Sequence, residues 1–295
     1  MLRKQFFKTM KITPTDLIIN PDGTIYHLNL LPENIADTII TVGDPDRVKF
    51  VSQYFDSIEF QVSKREFVTH TGYMNGKRLS VISSGIGTDN VEILMTELDA
   101  LVNIDFKNLE VKSEYKSLNI IRLGTSGSLQ KSIPVDSFVV SEWGVGLDAL
   151  GFFYQSESNQ TIYDLRRDLN LEFTPYCNPA GLDLFKLFTE KASENWFSGM
   201  TVTCPGFYAP QGRTLRYSPK INGLLQKMSG YYRDGNVLTN LEMETAGYYL
   251  MGKILGHQVL SISVILANRM TNEFSQQADK QVDSLIRIAL EKLTT

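Results

Sequence analysis

The chain has 295 residues, 42% of them hydrophobic, enough to bury a large core as one α/β domain or two small ones. A net charge of −4 gives no basic field for nucleic acid or an anionic membrane, so any anion has to be held by local groups. Two cysteines cannot build a disulfide framework and three histidines leave little for zinc, which points to a reducing compartment and no metal.

The first segment runs Met1-Leu2-Arg3-Lys4 and offers only Phe6-Phe7 before Lys8, too short for a secretory apolar core. No uncharged apolar run approaches the roughly 18 residues of a membrane helix, and a cytoplasmic location is expected. Residues 1–22 have no period and end at the turn signal Pro21-Asp22-Gly23, which marks an N-terminal extension or loose arm ahead of a single domain over 23–295. Strand-like runs follow at 38–42, 79–83, 119–123, 137–140, 201–203 and 259–266, several apolar throughout as if covered on both faces. Helical spacing appears over 89–103 behind a Thr88 cap candidate, from Glu244 to Ile254 with Gly256 as terminator, and over 282–293. The alternation predicts an α/β fold, a three-layer α/β/α sandwich around a central twisted mixed sheet, with ligand sites at the carboxyl ends of strands.

Five segments stand where strands run out. In Gly43-Asp44-Pro45-Asp46-Arg47 a glycine turn and an arginine suit an oxyanion, although a plain strand-to-helix turn with a surface arginine explains it as well. Gly85-Ile86-Gly87 lacks the third glycine of a dinucleotide loop and reads as a tight turn. Arg122, in an apolar strand before Gly124-Thr125-Ser126-Gly127, needs a partner: either an acidic side chain or a phosphate assisted by Thr125. Phe207 offers a stacking face, and Gln211 with Arg213 can point the same way if the segment is extended. Glu242 and Glu244 flank Met243 at a helix entry, where carboxylates complement the dipole or capture sugar hydroxyls.

In order, the segments GDPDR, KREF, RLGTSG, GFYAPQGR, NLEMETA and LANR resemble the nucleoside phosphorylase family, specifically its uridine phosphorylase branch, from about Tyr26 to the C-terminus. The resemblance implies phosphorolysis of uridine to uracil and ribose 1-phosphate, as in pyrimidine salvage, with inorganic phosphate as co-substrate and no organic cofactor. It implies that Gly43, Arg47, Arg122 and Thr125 hold phosphate and that Arg65 reaches in from a neighbouring subunit. It places His27 on the ribose 5′-hydroxyl across the same interface and Glu242, Met243 and Glu244 against the ribose. Phe207, Gln211 and Arg213 would hold the base, Leu266 and Ala267 would form its apolar wall, and Arg269 would stand behind the base loop. Arg122, Glu244, Gln211 and Arg213 carry the catalytic roles, and a homo-oligomer is implied, a dimer or a hexamer of dimers.

Asn268 stands near the position where purine-acting members carry an aspartate, which favours the pyrimidine branch. Two departures from the bacterial pattern are a longer connection over 104–118 and Asn90 at a small-hydroxyl position tied to potassium binding. A purine phosphorylase, a hydrolytic nucleosidase and a non-catalytic nucleoside-binding protein are the alternatives.

Overall fold

Alternation along β1 (Thr38–Val42) sends Ile39 to one face of a sheet and Ile40 to the other, and both are fully buried, so the strand is covered on two sides. The structure is a computed structural model that describes residues 11–155, 160–190 and 193–295. Nine further strands of four residues or more follow: β2 (Ser57–Lys64), β3 (Phe67–Met74), β4 (Lys77–Ser83), β5 (Asn119–Ser128), β6 (Phe138–Gly146), β7 (Tyr176–Pro179), β8 (Trp196–Thr203), β9 (Asn236–Glu242) and β10 (Gln258–Asn268). Their order is β9-β8-β6-β10-β5-β1-β4-β3-β2, mixed in direction, with β7 antiparallel beside β6. β9 also pairs antiparallel with β5 through Asn240↔Ser128 and Leu241↔Gly127, so β5, β10, β6, β8 and β9 close into a ring.

Helices cover both faces. Ile40, Val42, Ile121 and Leu123 pack with Val48 and Val51 of α1 (Arg47–Ser52), Leu184 and Phe188 of α4 (Leu182–Thr189), and Leu285, Ile286, Ala289 and Leu290 of α7 (Ala278–Thr294). On the other face Ile39, Ile82 and Ile120 pack with Val91, Leu94, Met95 and Leu98 of α2 (Thr88–Asn103) and with Tyr248, Tyr249 and Met251 of α6 (Thr245–Leu255). α3 (Gln160–Asp168) and α5 (Leu224–Ser229) flank a third apolar cluster inside and beside the ring. This is the expected three-layer arrangement, with a closed end that periodicity does not reveal.

Boundaries differ where the apolar signal stops. β5 runs on through Gly124-Thr125-Ser126-Gly127-Ser128 because its neighbours, not its side chains, supply the pairing. α7 begins at Ala278, four residues before its apolar stripe. Gly87, at φ +98°, caps α2 and Thr88 is its first helical residue, so the expected cap moves by one. Gly256 ends α6 in the left-handed conformation at φ +76°, as its position predicts.

Residues 1–10 of the expected extension lie outside the described residues. Over 11–22 the chain is not a loose arm: Leu17 is buried, Ile12 and Ile19 pack on the same cluster, and Ile19 bridges Ile25. The long 104–118 connection forms a short hairpin, Ile104–Asp105 against Glu110–Val111. It is then fastened to the end of α6, where the Tyr115 hydroxyl donates to Leu255 O at 2.8 Å and the Leu118 N–H donates to His257 Nδ1 at 3.2 Å. Among the described residues no helix is long and apolar enough to cross a membrane.

Candidate functional site

Arg122 projects from β5 between Thr41 of β1 and Ser261 of β10, its partners in register, and is 4% exposed. Its Nη2 donates to Glu244 Oε2 at 2.5 Å and lies 3.2 Å from Glu242 Oε2. Nε and Nη1 are buried with no hydrogen-bond partner among the described residues. Burial opposes the charge, but Glu242 and Glu244 more than offset it and hold the guanidinium above its ordinary pKa. The acidic partner is therefore present, yet it occupies one nitrogen and leaves two donors for a ligand. The guanidinium lies over Gly124, where an added Cβ would meet Nη1 at 1.9 Å, so a glycine is needed two residues along the same strand face.

The two carboxylates come from the turn between β9 and α6 and do different work. Glu242 accepts from the Thr203 hydroxyl at 2.6 Å, from the Glu244 N–H at 2.9 Å and from the Thr245 N–H at 2.9 and 3.1 Å, satisfying the first amides of α6. For Glu242 the dipole-complementary role is the one realised. Glu244 instead accepts from the Gly87 N–H at 2.9 Å and from Arg122. Burial raises its pKa, with Arg122 pulling the other way. Met243, between them, is half-buried.

Arg47, the first residue of α1, is half-buried and makes no side-chain hydrogen bond or ion pair among the described residues. Burial lowers its pKa, Asp44 counters this, and Arg122 lowers it further, which places the two guanidiniums within each other's field. A pair of like charges with uncommitted N–H groups on both is suited to an anion. Gly43 is half-buried, and a Cβ there would be 3.6 Å from Gly85 O; Thr125 is half-buried on β5 with its hydroxyl uncommitted among the described residues.

The base-side segment is not extended. Ala209–Gln211 form one 3-10 turn closed by Gly212 at φ +70°, and the fold-back rather than alternation brings Arg213 to Gln211. Arg213 Nη1 donates to Gln211 Oε1 at 2.5 Å and to Phe207 O at 2.6 Å, and its guanidinium stands 3.7 Å from the Phe207 ring centre. Gln211 is 2% exposed, and Arg269 Nη1 donates to its backbone oxygen at 3.1 Å from behind the loop. Burial lowers the Arg213 pKa, with Arg269 adding to the shift. Leu266 and Ala267 are half-buried near the end of β10, at a register shift. Asn268 has no amide atom to spare: Nδ2 donates to Gln130 O and Ile133 O at 3.0 Å each, and Oδ1 accepts from Met270 and Thr271 at 2.9 and 3.0 Å.

Among the described residues no hydrogen bond or ion pair joins His27 or Arg65 to Arg122 or Glu244 within the chain. The His27 Nδ1 is 2.6 Å from Glu97 Oε1, and Glu97 also accepts from the His27 and Leu28 amides. Arg65, exposed at the β2–β3 turn with φ +56°, lies 5.8 Å from the Tyr26 ring, so the two residues are near neighbours on one surface.

The model of the phosphorylase superfamily matches residues 37–294, from the start of β1 to the end of α7. The chain belongs to the phosphorylase superfamily. Its superfamily relatives include a uridine phosphorylase of Thermococcus kodakarensis, 27% identical over 263 residues covering 88% of this chain and 83% of that one. A uridine phosphorylase of Haemophilus influenzae is 28% identical over 256 residues, covering 86% and 90%. A DeoD-type purine nucleoside phosphorylase of Shewanella loihica is 25% identical over 272 residues, covering 91% and 98%. The crystal structure of a Trypanosoma brucei nucleoside phosphorylase, described as showing uridine phosphorylase activity, superposes with a TM-score of 0.85 at 29% identity over 94% of this chain and 99% of that one.

The superfamily match takes in every site segment except His27, which precedes it. Two residues that build the site carry no motif of their own, Thr203 through its hydroxyl and Glu97 under His27. Gly87, through its amide, and Gly124, through its missing Cβ, stand in glycine segments visible in the sequence, but these roles are not. Among the described residues no three His, Cys, Asp or Glu side chains gather as a metal site.

Proposed function

We propose that this member of the superfamily is a nucleoside phosphorylase acting on uridine, with inorganic phosphate as the nucleophile and no cofactor. The observation that carries the reading is the buried Arg122 with Nε and Nη1 uncommitted, beside Arg47 whose guanidinium has no partner among the described residues. A phosphate oxygen would bond to the ribose anomeric carbon as its bond to the base nitrogen breaks, the bonding pair leaving with the base. Positioning and charge suffice for such a displacement. Arg47 and Arg122, with the Gly43 backbone and Thr125, would hold the dianion, and Glu244 would turn from Arg122 to the sugar hydroxyls. Glu242, spent on the α6 amides, would hold Glu244 in place rather than touch the sugar.

The base loop supports a pyrimidine. Gln211 Oε1 is taken by Arg213, which leaves the amide NH2 to donate to a base carbonyl and puts positive charge behind it as the leaving base gains electrons. Phe207, Leu266 and Ala267 supply apolar contacts. Asn268, fully bonded to backbone, has no proton to offer a purine nitrogen. The proximity of His27 and Arg65 on one face supports a homo-oligomer, a dimer or a hexamer of dimers, in which both complete a neighbour's site.

Release of base from uridine, thymidine, inosine and adenosine, each with and without phosphate, tests this. The expected result is phosphate-dependent uracil release as the fastest reaction. Free ribose without phosphate would identify a hydrolase, and faster inosine or adenosine turnover would move the chain to the purine branch that its DeoD-type relatives represent.

A further inference from the structure

Tyr248 is fully buried one turn along α6 from Glu244, and its N–H donates to Glu244 O at 3.2 Å. Both residues therefore lie on one face of the helix, and Tyr248 packs in the cluster of Ile39, Ile82 and Ile120. Tyr248 Oη has no hydrogen-bond partner among the described residues, and neither has Oγ1 of fully buried Thr41, which is in register with Arg122. Burial raises the Tyr248 pKa, and hydrogen bonding from the Thr41 and Ser84 hydroxyls together with the Arg122 charge acts to lower it, although neither hydroxyl meets the phenol in strict bonding geometry. A buried hydroxyl without a partner is a cost that phenylalanine would avoid at the same size. The same is true of Thr41 against valine.

Resting on the phosphorolysis reading, we infer that Tyr248, with Thr41 beside it, is a positioning residue for Arg122. When Glu244 turns to the sugar, Arg122 loses its one hydrogen-bonded partner. The Tyr248 oxygen then accepts from the guanidinium and holds it aimed at phosphate. Arg122 has two uncommitted nitrogens, Nε and Nη1, for the two tasks, one facing the phenol and one the anion. The base side is expected to be untouched, because among the described residues no hydrogen bond or ring contact joins the Phe207–Arg213 loop to Tyr248 or Arg122.

The test is steady-state kinetics of Tyr248→Phe with varied phosphate and with the nucleoside that wild type turns over best. The KM for phosphate is expected to rise about tenfold while the KM for nucleoside stays put, and thermal unfolding should occur no earlier than in wild type. Thr41→Val, which removes a hydroxyl without opening a cavity, should shift the same constant in the same direction and reads it independently. In an Arg122→Lys background, which lacks the Nε donor, adding Tyr248→Phe should change the phosphate KM by less than about twofold. Unchanged phosphate KM in both single variants, or full additivity with Arg122→Lys, overturns the assignment and leaves the phosphorolysis reading standing. A wild-type protein that neither binds nor consumes phosphate overturns both.

Discussion

Gly124→Ala puts the proposed anion site under strain without replacing a charged residue. Gly124 has no left-handed backbone, so alanine suits the strand, but its Cβ would stand 1.9 Å from Arg122 Nη1, 2.7 Å from Cζ and 3.0 Å from Nη2. Normal contact requires about 3.5 Å, so the guanidinium must retreat by more than about 1 Å. Its 2.5 Å bond to Glu244 cannot survive such a move. A misplacement of that size is expected to lower kcat/KM for phosphate about a hundredfold, equivalent to about 2.7 kcal/mol of transition-state stabilisation. The phosphate dependence of nucleoside cleavage measures it, with circular dichroism to verify that the sheet is intact. A folded Gly124→Ala enzyme within about threefold of wild type would show that the Arg122 position does not matter, and the phosphate assignment would fail.

Arg122→Ala strands Glu242 and Glu244 in the interior, so beyond a loss of about a hundredfold or more in rate it should lower stability by about 3–5 kcal/mol near neutral pH. Because the Glu244 pKa would then rise still further, this deficit should grow as pH rises through it and shrink in acid, which denaturant titrations at several pH values can follow. In wild type the raised Glu244 pKa should place the acid limb of kcat/KM above the usual carboxylate range, since only the ionised form accepts from sugar hydroxyls; Glu244→Gln should abolish that limb. Asn268→Asp removes two donors facing Gln130 O and Ile133 O and should cost about 1–3 kcal/mol for each, read as an earlier thermal transition, without creating purine activity.

The layers were legible in the sequence because buried parallel strands are apolar from end to end and the crossover helices carry their own stripe. β1 and β4 and the body of α2 fall where those patterns place them. The ring was not legible, because pairing Leu241 with Gly127 depends on a contact between residues more than a hundred positions apart. At the site, Arg122 announced itself as a charge in an apolar strand that needed a partner, but nothing there told that the partner would be a carboxylate pair leaving Nε and Nη1 uncommitted. The division of labour between Glu242 and Glu244 was not legible either, since both sit at the same helix entry and only the Thr203 hydroxyl and the Gly87 amide tell them apart. Gln211 and Arg213 meet as expected but by a tight turn, because Gly212 supplies a conformation that alternation in a strand cannot.

The closed ring of strands has a consequence for how such a chain can change. Arg122 and the glutamate turn hang from β5 and β9, two strands stapled to each other, so widening the distance between Arg122 and Glu244 would mean tearing a seam of backbone bonds. The segment from Pro205 to Gly223 belongs to no strand and is not held by that seam. Under the proposed phosphorolysis, selectivity for the leaving group can therefore drift while the displacement chemistry stays fixed.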